Sequence, residues 1–135
     1  MNVLVYAHNA SSPFHLRGRN WLEQVLGEGE TVGIPWNTFT GFLRLATTAH
    51  LTQRPLNHSQ AYGLIHAWLA HPQIIVPEPG RRFWHILQQI GSDGQVRGRS
   101  WSDAYLTALA IENGAALASF DRDFRKFPTL KLIEL

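Results

Sequence analysis

The chain has 135 residues, 12 Lys and Arg against 10 Asp and Glu for a net charge of +2, and no cysteine. That length suits one domain burying roughly 70% of its unfolded surface, and 44% hydrophobic with 16% charged residues is not a disordered composition. The missing cysteines exclude disulfides, thiolate zinc sites and thiol nucleophiles, and no apolar run approaches the ~18 residues of a membrane-spanning helix.

Met1 to Tyr6 has no basic lead and no cleavage site, which predicts no signal peptide and a soluble, cytoplasmic protein. Val3 to Tyr6 is β-prone in isolation. Ser11-Ser12-Pro13 reads as a helix start, followed by an apolar face of Leu16, Trp21, Leu22, Val25 and Leu26 and stopped by Gly27 and Gly29. Thr31 to Ile34 predicts a short strand. Trp36 to His50 predicts a helix with Phe39, Phe42, Leu43 and Ala46 inward, broken by Arg54-Pro55. Ser59 is expected to cap the next helix, which carries Leu64, Ile65, Trp68 and Leu69 and ends at His71-Pro72. Gln73 to Val76 predicts a buried strand, Arg81 to Ile90 a helix, and Gly91 to Gly98 a polar loop. Ser102 to Asn113 is the clearest helix, with Gly114 as its stop. Ala115 to Phe120 and Leu130 to Leu135 predict strands. Helices alternating with short apolar strands imply an α/β fold with a parallel sheet covered on both faces. Functional groups then gather beyond the carboxyl ends of the strands.

Four aspartates exist: Asp93, Asp103, Asp121 and Asp123. Asp103 opens a helix, and Asp121 and Asp123 follow the next strand, so Asp103 and Asp121 fall at one edge of a parallel sheet. Carboxylates placed together repel unless neutralised, and a hard divalent cation neutralises them. Simpler roles compete: Asp103 suits the helix dipole, Asp121 suits a cap for the turn Arg122 to Lys126, and Asp123 suits a solvated or Arg-paired charge. The seven histidines show no H-x-x-x-H pair and none sits near a Cys. No phosphate-binding loop and no nucleophile elbow occurs. Ten of the twelve cations are arginine, which suits phosphate contacts, yet ordinary surface charge explains so small an excess equally well. Most of the five tryptophans sit at apolar helical positions and read as core. Trp101 is the exception, within Arg97-Gly98-Arg99-Ser100-Trp101, a stretch that suits single-stranded RNA or a loop with one anchoring ring.

The run Ser102-Asp103-Ala104-Tyr105-Leu106-Thr107-Ala108-Leu109-Ala110-Ile111-Glu112-Asn113-Gly114, continued through Ser119-Phe120-Asp121-Arg122-Asp123-Phe124, closely resembles the C-terminal half of PIN-domain proteins of the VapC toxin type. Asn2-Val3-Leu4-Val5-Tyr6-Ala7 resembles that family's opening, and Thr40 to Thr47 resembles a middle helix of one branch. The resemblance implies a single PIN-like domain over residues 1–135, a three-layer α/β/α sandwich with a short parallel sheet. It turns the expectation for Val3 to Tyr6 to helix. It further implies a Mg²⁺- or Mn²⁺-dependent endoribonuclease acting on transfer or ribosomal RNA, inhibited by a small antitoxin and paired with a second copy of itself.

By position, the resemblance makes Asp103 and Asp121 metal ligands and Asp123 a weaker member of the catalytic set. Ser119 would orient water there, with Asn2 in support. Arg44, Arg97, Arg99 and Arg122 would neutralise RNA phosphates, or alternatively pair with the acids or the antitoxin. Glu112 is expected to be structural. Two departures stand out. The family's first acid precedes the Asn matched by Asn2 by two positions, so it falls before Met1, along with the first central strand. Gly41 stands where many members carry Glu. A non-catalytic homologue that binds antitoxin or RNA is therefore the alternative, and a metal-dependent phosphatase a weaker third.

Overall fold

The computed structural model describes residues 1–49, 51–93 and 95–135. Its contacts divide the chain into two compact units, Met1–Pro77 and Glu78–Leu135. The class is α/β, as expected: short parallel strands between longer helices.

The first unit holds α1 (Asn2–His8), α2 (His15–Gly27), β1 (Val32–Gly33), α3 (Trp36–Ala46), α4 (His58–Ala70) and β2 (Ile74–Ile75). Val3 to Tyr6 is helical despite its β-prone composition. Val3, Leu4 and Ala7 are buried along one face of α1, and burial outweighs the few tenths of a kcal/mol that propensity contributes per residue. The Ser-Ser-Pro signal does not start α2. Ser12 Oγ instead accepts from Phe14 N–H at 3.1 Å, closing a local turn, and the helix begins at His15. α3 ends at Ala46, short of the predicted His50, which lies outside the described residues. The hydroxyls of Thr47 and Thr48 donate to the carbonyls of Leu43 and Arg44, and such local bonding competes with helix continuation. Asn57, not Ser59, caps α4: its side chain accepts from Gln60 N–H at 2.8 Å, while Gln60 Oε1 accepts from Asn57 N–H at 3.0 Å. This reciprocal box satisfies two otherwise orphaned amides.

Phe39, Phe42 and Ala46 recur at helical spacing and are buried. Trp68 of α4 meets Phe42 edge-on with ring centroids 4.9 Å apart and stacks near Phe39 at 6.3 Å. Leu4, Leu22, Ile34, Ile65 and Ile74 complete this core. β1 and β2 pair in parallel, Val32 opposite Ile74 and Gly33 opposite Ile75.

The second unit holds α5 (Phe83–Ser92), α6 (Ser100–Glu112), β3 (Leu117–Ser119), a 3-10 turn (Arg122–Lys126) and β4 (Leu132–Glu134). Phe83, Ile86 and Ile90 of α5 pack with Ala104, Ala108 and Leu109 of α6 and with Phe124, Phe127 and Leu130. Ala104 and Ala108 are fully buried, and their small side chains permit close helix packing. Gly114 takes φ +60° and ends α6, as its sequence position predicts. β3 and β4 pair in parallel, with Leu117 opposite Leu132 and Ser119 opposite Glu134. Among the described residues the strands thus form two separate two-stranded ladders, and none precedes α1.

The tryptophans depart from expectation. Trp68 is buried, but Trp36, Trp84 and Trp101 are exposed. Trp36 opens α3, and Trp84 sits one step, about 100°, round from the buried Phe83. Both therefore miss the apolar stripe. Among the described residues no helix is long and apolar enough to cross a membrane.

Candidate active site

Three of the predicted acids lie in the second unit, Asp103 in the first turn of α6 and Asp121 and Asp123 after β3. From Asp103 to the end of α6 is about 13.5 Å of helix at 1.5 Å per residue. From Leu117 to Asp121 the extended chain returns about 13 Å at 3.3 Å per residue. The two paths nearly cancel, which brings the start of α6 back to the end of β3. Asp103 is half-buried there and senses the negative charge of both Asp121 and Asp123.

The local geometry ties the acids together. Ser119, buried at the end of β3, accepts from Asp121 N–H through its hydroxyl at 3.0 Å. Asp121 Oδ1 accepts from Asp123 N–H at 2.9 Å and so caps the 3-10 turn. Two consecutive side-chain-to-backbone turns thus orient the loop that bears both exposed acids. Lys126, the last residue of the 3-10 turn, places Nζ 3.4 Å from Asp103 Oδ2 and 5.3 Å from the centre of the Phe127 ring. Burial pushes the Asp103 carboxyl above its ordinary range. Lys126 works against that shift, while Asp121 and Asp123 add to it.

Sequence reasoning missed Lys126. It lies 23 residues from Asp103, and its only signal was being one of two lysines, with Lys131, in an arginine-rich chain.

The other predicted residues are distributed more widely. Arg97 and Arg99 are exposed just before α6, and the Ser100 hydroxyl accepts from Arg97 N–H at 2.9 Å. Arg122 is exposed beside the acids, and its charge helps hold the Glu134 carboxyl below its ordinary range, after the larger effect of Arg125. Arg125 grips Glu134 with two bonds of 2.5 Å. Asn2 and Arg44 belong to the first unit, on α1 and α3. There a side chain at position 41 would displace the Met1 thioether, which lies against Gly41. Glu112 is structural, as expected. Its carboxylate accepts from Gly80 N–H at 2.9 Å and Arg82 N–H at 3.1 Å, at the start of α5. His8 and His15 hold their rings by Nδ1 contacts to the Leu4 and Tyr6 carbonyls.

Asp103 and Asp121 offer the hard oxygen donors that suit Mg²⁺, which is commonly held by one or two carboxylates plus waters. The donor chemistry fits such an ion. Among the described residues no three His, Cys, Asp or Glu side chains stand together as a ligand set, so most of its shell would come from water.

The fold has a solved counterpart. It superimposes on a chain of the crystal structure of VapBC2 from Rickettsia felis bound to a promoter DNA fragment, with TM-score 0.65, 18% identity, and 98% of this chain and 93% of that one covered. The PIN-domain description matches residues 1–130. Ribonuclease VapC43 of Mycobacterium tuberculosis is 36% identical over 97% of this chain and 89% of its own length. Ribonuclease VapC37 of the same organism is 36% identical over 93% and 88%. The chain belongs to the PIN-domain family and groups there with the VapC ribonucleases.

Proposed function

We propose that this chain is an endoribonuclease, the toxin half of a toxin–antitoxin pair. On this reading it is a single domain over residues 1–135 acting in the cytoplasm on transfer or ribosomal RNA, with a small antitoxin and a second copy of itself as partners. The reading is supported by VapC ribonuclease relatives that cover nearly the whole chain. The observation that carries it is the PIN-domain match over residues 1–130 together with a 36% identical VapC ribonuclease, and the placing of Asp103 where it senses the charges of Asp121 and Asp123 accords with it.

Asp103 and Asp121 would hold Mg²⁺ or Mn²⁺, with Asp123 beside them. The ion, when bound, supplies positive charge for the phosphate and a more acidic water. The chain's own residues do the rest. Ser119 fixes the loop through Asp121 N–H, so the Asp121 carboxylate is oriented before substrate arrives. Arg97, Arg99 and Arg122 would attract RNA phosphates, Arg44 in the first unit is proposed as a further RNA contact, and Asn2 as a supporting residue. Asp123 stays solvated and adds negative charge.

The test is cleavage of total cellular RNA by the purified chain in Mn²⁺, beside an EDTA control and Asp103→Asn. We expect metal-dependent cuts that fall at least ~100-fold in Asp103→Asn, the scale of losing one electrostatic group from an active site. Undiminished cleavage in that variant overturns the site. A second reading, a catalytically impaired homologue that retains RNA or antitoxin without cutting, is favoured by the absence of a three-residue ligand set among the described residues. RNA retention without product in any metal would decide for it.

A further inference from the structure

Lys126 has no role in the nuclease scheme above, yet it makes the one lysine contact given to the acidic edge among the described residues. Its ammonium lies 3.4 Å from Asp103 Oδ2 and over the buried Phe127 ring, with both charged side chains about a quarter exposed. The distance is longer than a tight charge-assisted bond of about 2.8 Å, so the contact is mainly one between charges. A lysine is a compact charge on a flexible stem and can leave one partner for another without losing a fork of hydrogen bonds. The Phe127 ring lies under the same ammonium, 5.3 Å from its centre, and steadies it there. Asp103 cannot serve the ammonium and a divalent ion with the same oxygen.

We infer that Lys126 is a built-in counter-cation of the acidic site: it occupies Asp103 in the unloaded protein and sets the affinity for the divalent ion by competing for that carboxylate. This deepens the nuclease reading and rests on it for the use of the ion. Lys126 is a positioning residue here. Its charge works against the repulsion that Asp121 and Asp123 exert on the Asp103 carboxylate.

The experiment is a Mn²⁺ titration of the full chain, with free Mn²⁺ read by electron paramagnetic resonance and folding checked by circular dichroism. Lys126→Met keeps the stem over Phe127 and removes the charge, and Lys126→Arg restores a charge. We expect Lys126→Met to bind Mn²⁺ about threefold or more tightly than the parent, the scale of a partly exposed ion pair, and Lys126→Arg to return within about twofold of the parent. In an Asp103→Asn background the Lys126→Met effect should vanish. Unchanged or weaker binding by a folded Lys126→Met overturns the inference. So does an equal tightening without Asp103, or failure of every variant to bind Mn²⁺. RNA cleavage in the same samples separates the two readings. Cleavage by the parent with a flat Lys126 response removes this inference alone. A clear Lys126 response with no cleavage supports the counter-cation and overturns the nuclease.

Discussion

His8 shows how one side chain ties the first unit to pH. It ends α1, donates through Nδ1–H to the Leu4 carbonyl at 3.1 Å, and meets the Trp68 ring edge-on at a 5.0 Å centroid distance. Partial desolvation where its otherwise exposed ring lies against Trp68 holds its pKa below the ordinary 6.5, the Leu4 carbonyl raises it somewhat, and the charges of His15 and Arg19 lower it again. The unfolded chain therefore binds a proton that the folded chain resists, and stability falls as pH drops through about 6.5 towards the folded value. We expect the urea midpoint to fall between pH 7 and 5, with a shallower fall for His8→Asn. The difference between the two proteins isolates His8 from every other titrating group. Parallel curves would mean that the imidazole is equally free to protonate in both states. Residue-scale roles of this kind were barely legible in the sequence: seven histidines looked alike until packing singled out one against Trp68.

At the scale of the element, α5 shows how a helix obtains its cap from elsewhere in the chain. Its own N-cap residue, Arg82, makes no side-chain capping bond. Glu112, thirty residues on, takes the amides of Gly80 and Arg82, and the Arg82 guanidinium returns a bond of 3.2 Å to the Glu112 carbonyl. A carboxylate at a helix N-terminus gains both hydrogen bonds and a favourable dipole. A Cβ at position 80 would stand 2.7 Å from Glu112 Oε1 and push the carboxylate aside. Glu112→Ala should cost about 1–2 kcal/mol in urea unfolding and leave RNA cleavage within about twofold, because Glu112 lies about 13.5 Å along α6 from Asp103. Lost cleavage at full stability would instead put Glu112 in the site. Helices such as α4 and α6 were visible in the sequence because their apolar spacing and stop signals are local. The start of α2 and the end of α3 were not, since Ser12, Thr47 and Thr48 spend their hydroxyls on nearby backbone groups, and sequence alone does not reveal which acceptor wins.

Over the whole molecule, charge sets how the chain meets RNA. A net charge of +2 is small, so on the proposed function attraction would come from local cations such as Arg97 and Arg99 rather than from an overall field. In the cleavage-deficient Asp103→Asn, RNA affinity should fall linearly on a log–log plot against salt. Removing one phosphate contact, as in Arg97→Ala, should reduce the slope by about 0.7. An unchanged slope would take Arg97 off the RNA path.

The sequence by itself determined the α/β class and the order of the helices and strands after α1, because apolar period and turn chemistry are written locally. The resemblance carried by Ser102 to Phe124 pointed to the family. Only the tertiary structure decided that the short parallel strands pair two by two, that Glu112 caps α5, and that Lys126 stands against Asp103. Those contacts join residues separated by 23 positions or more, apart from the nearer β3–β4 pair. Local preference is silent at such separations, and the burial of a shared core brings the partners together.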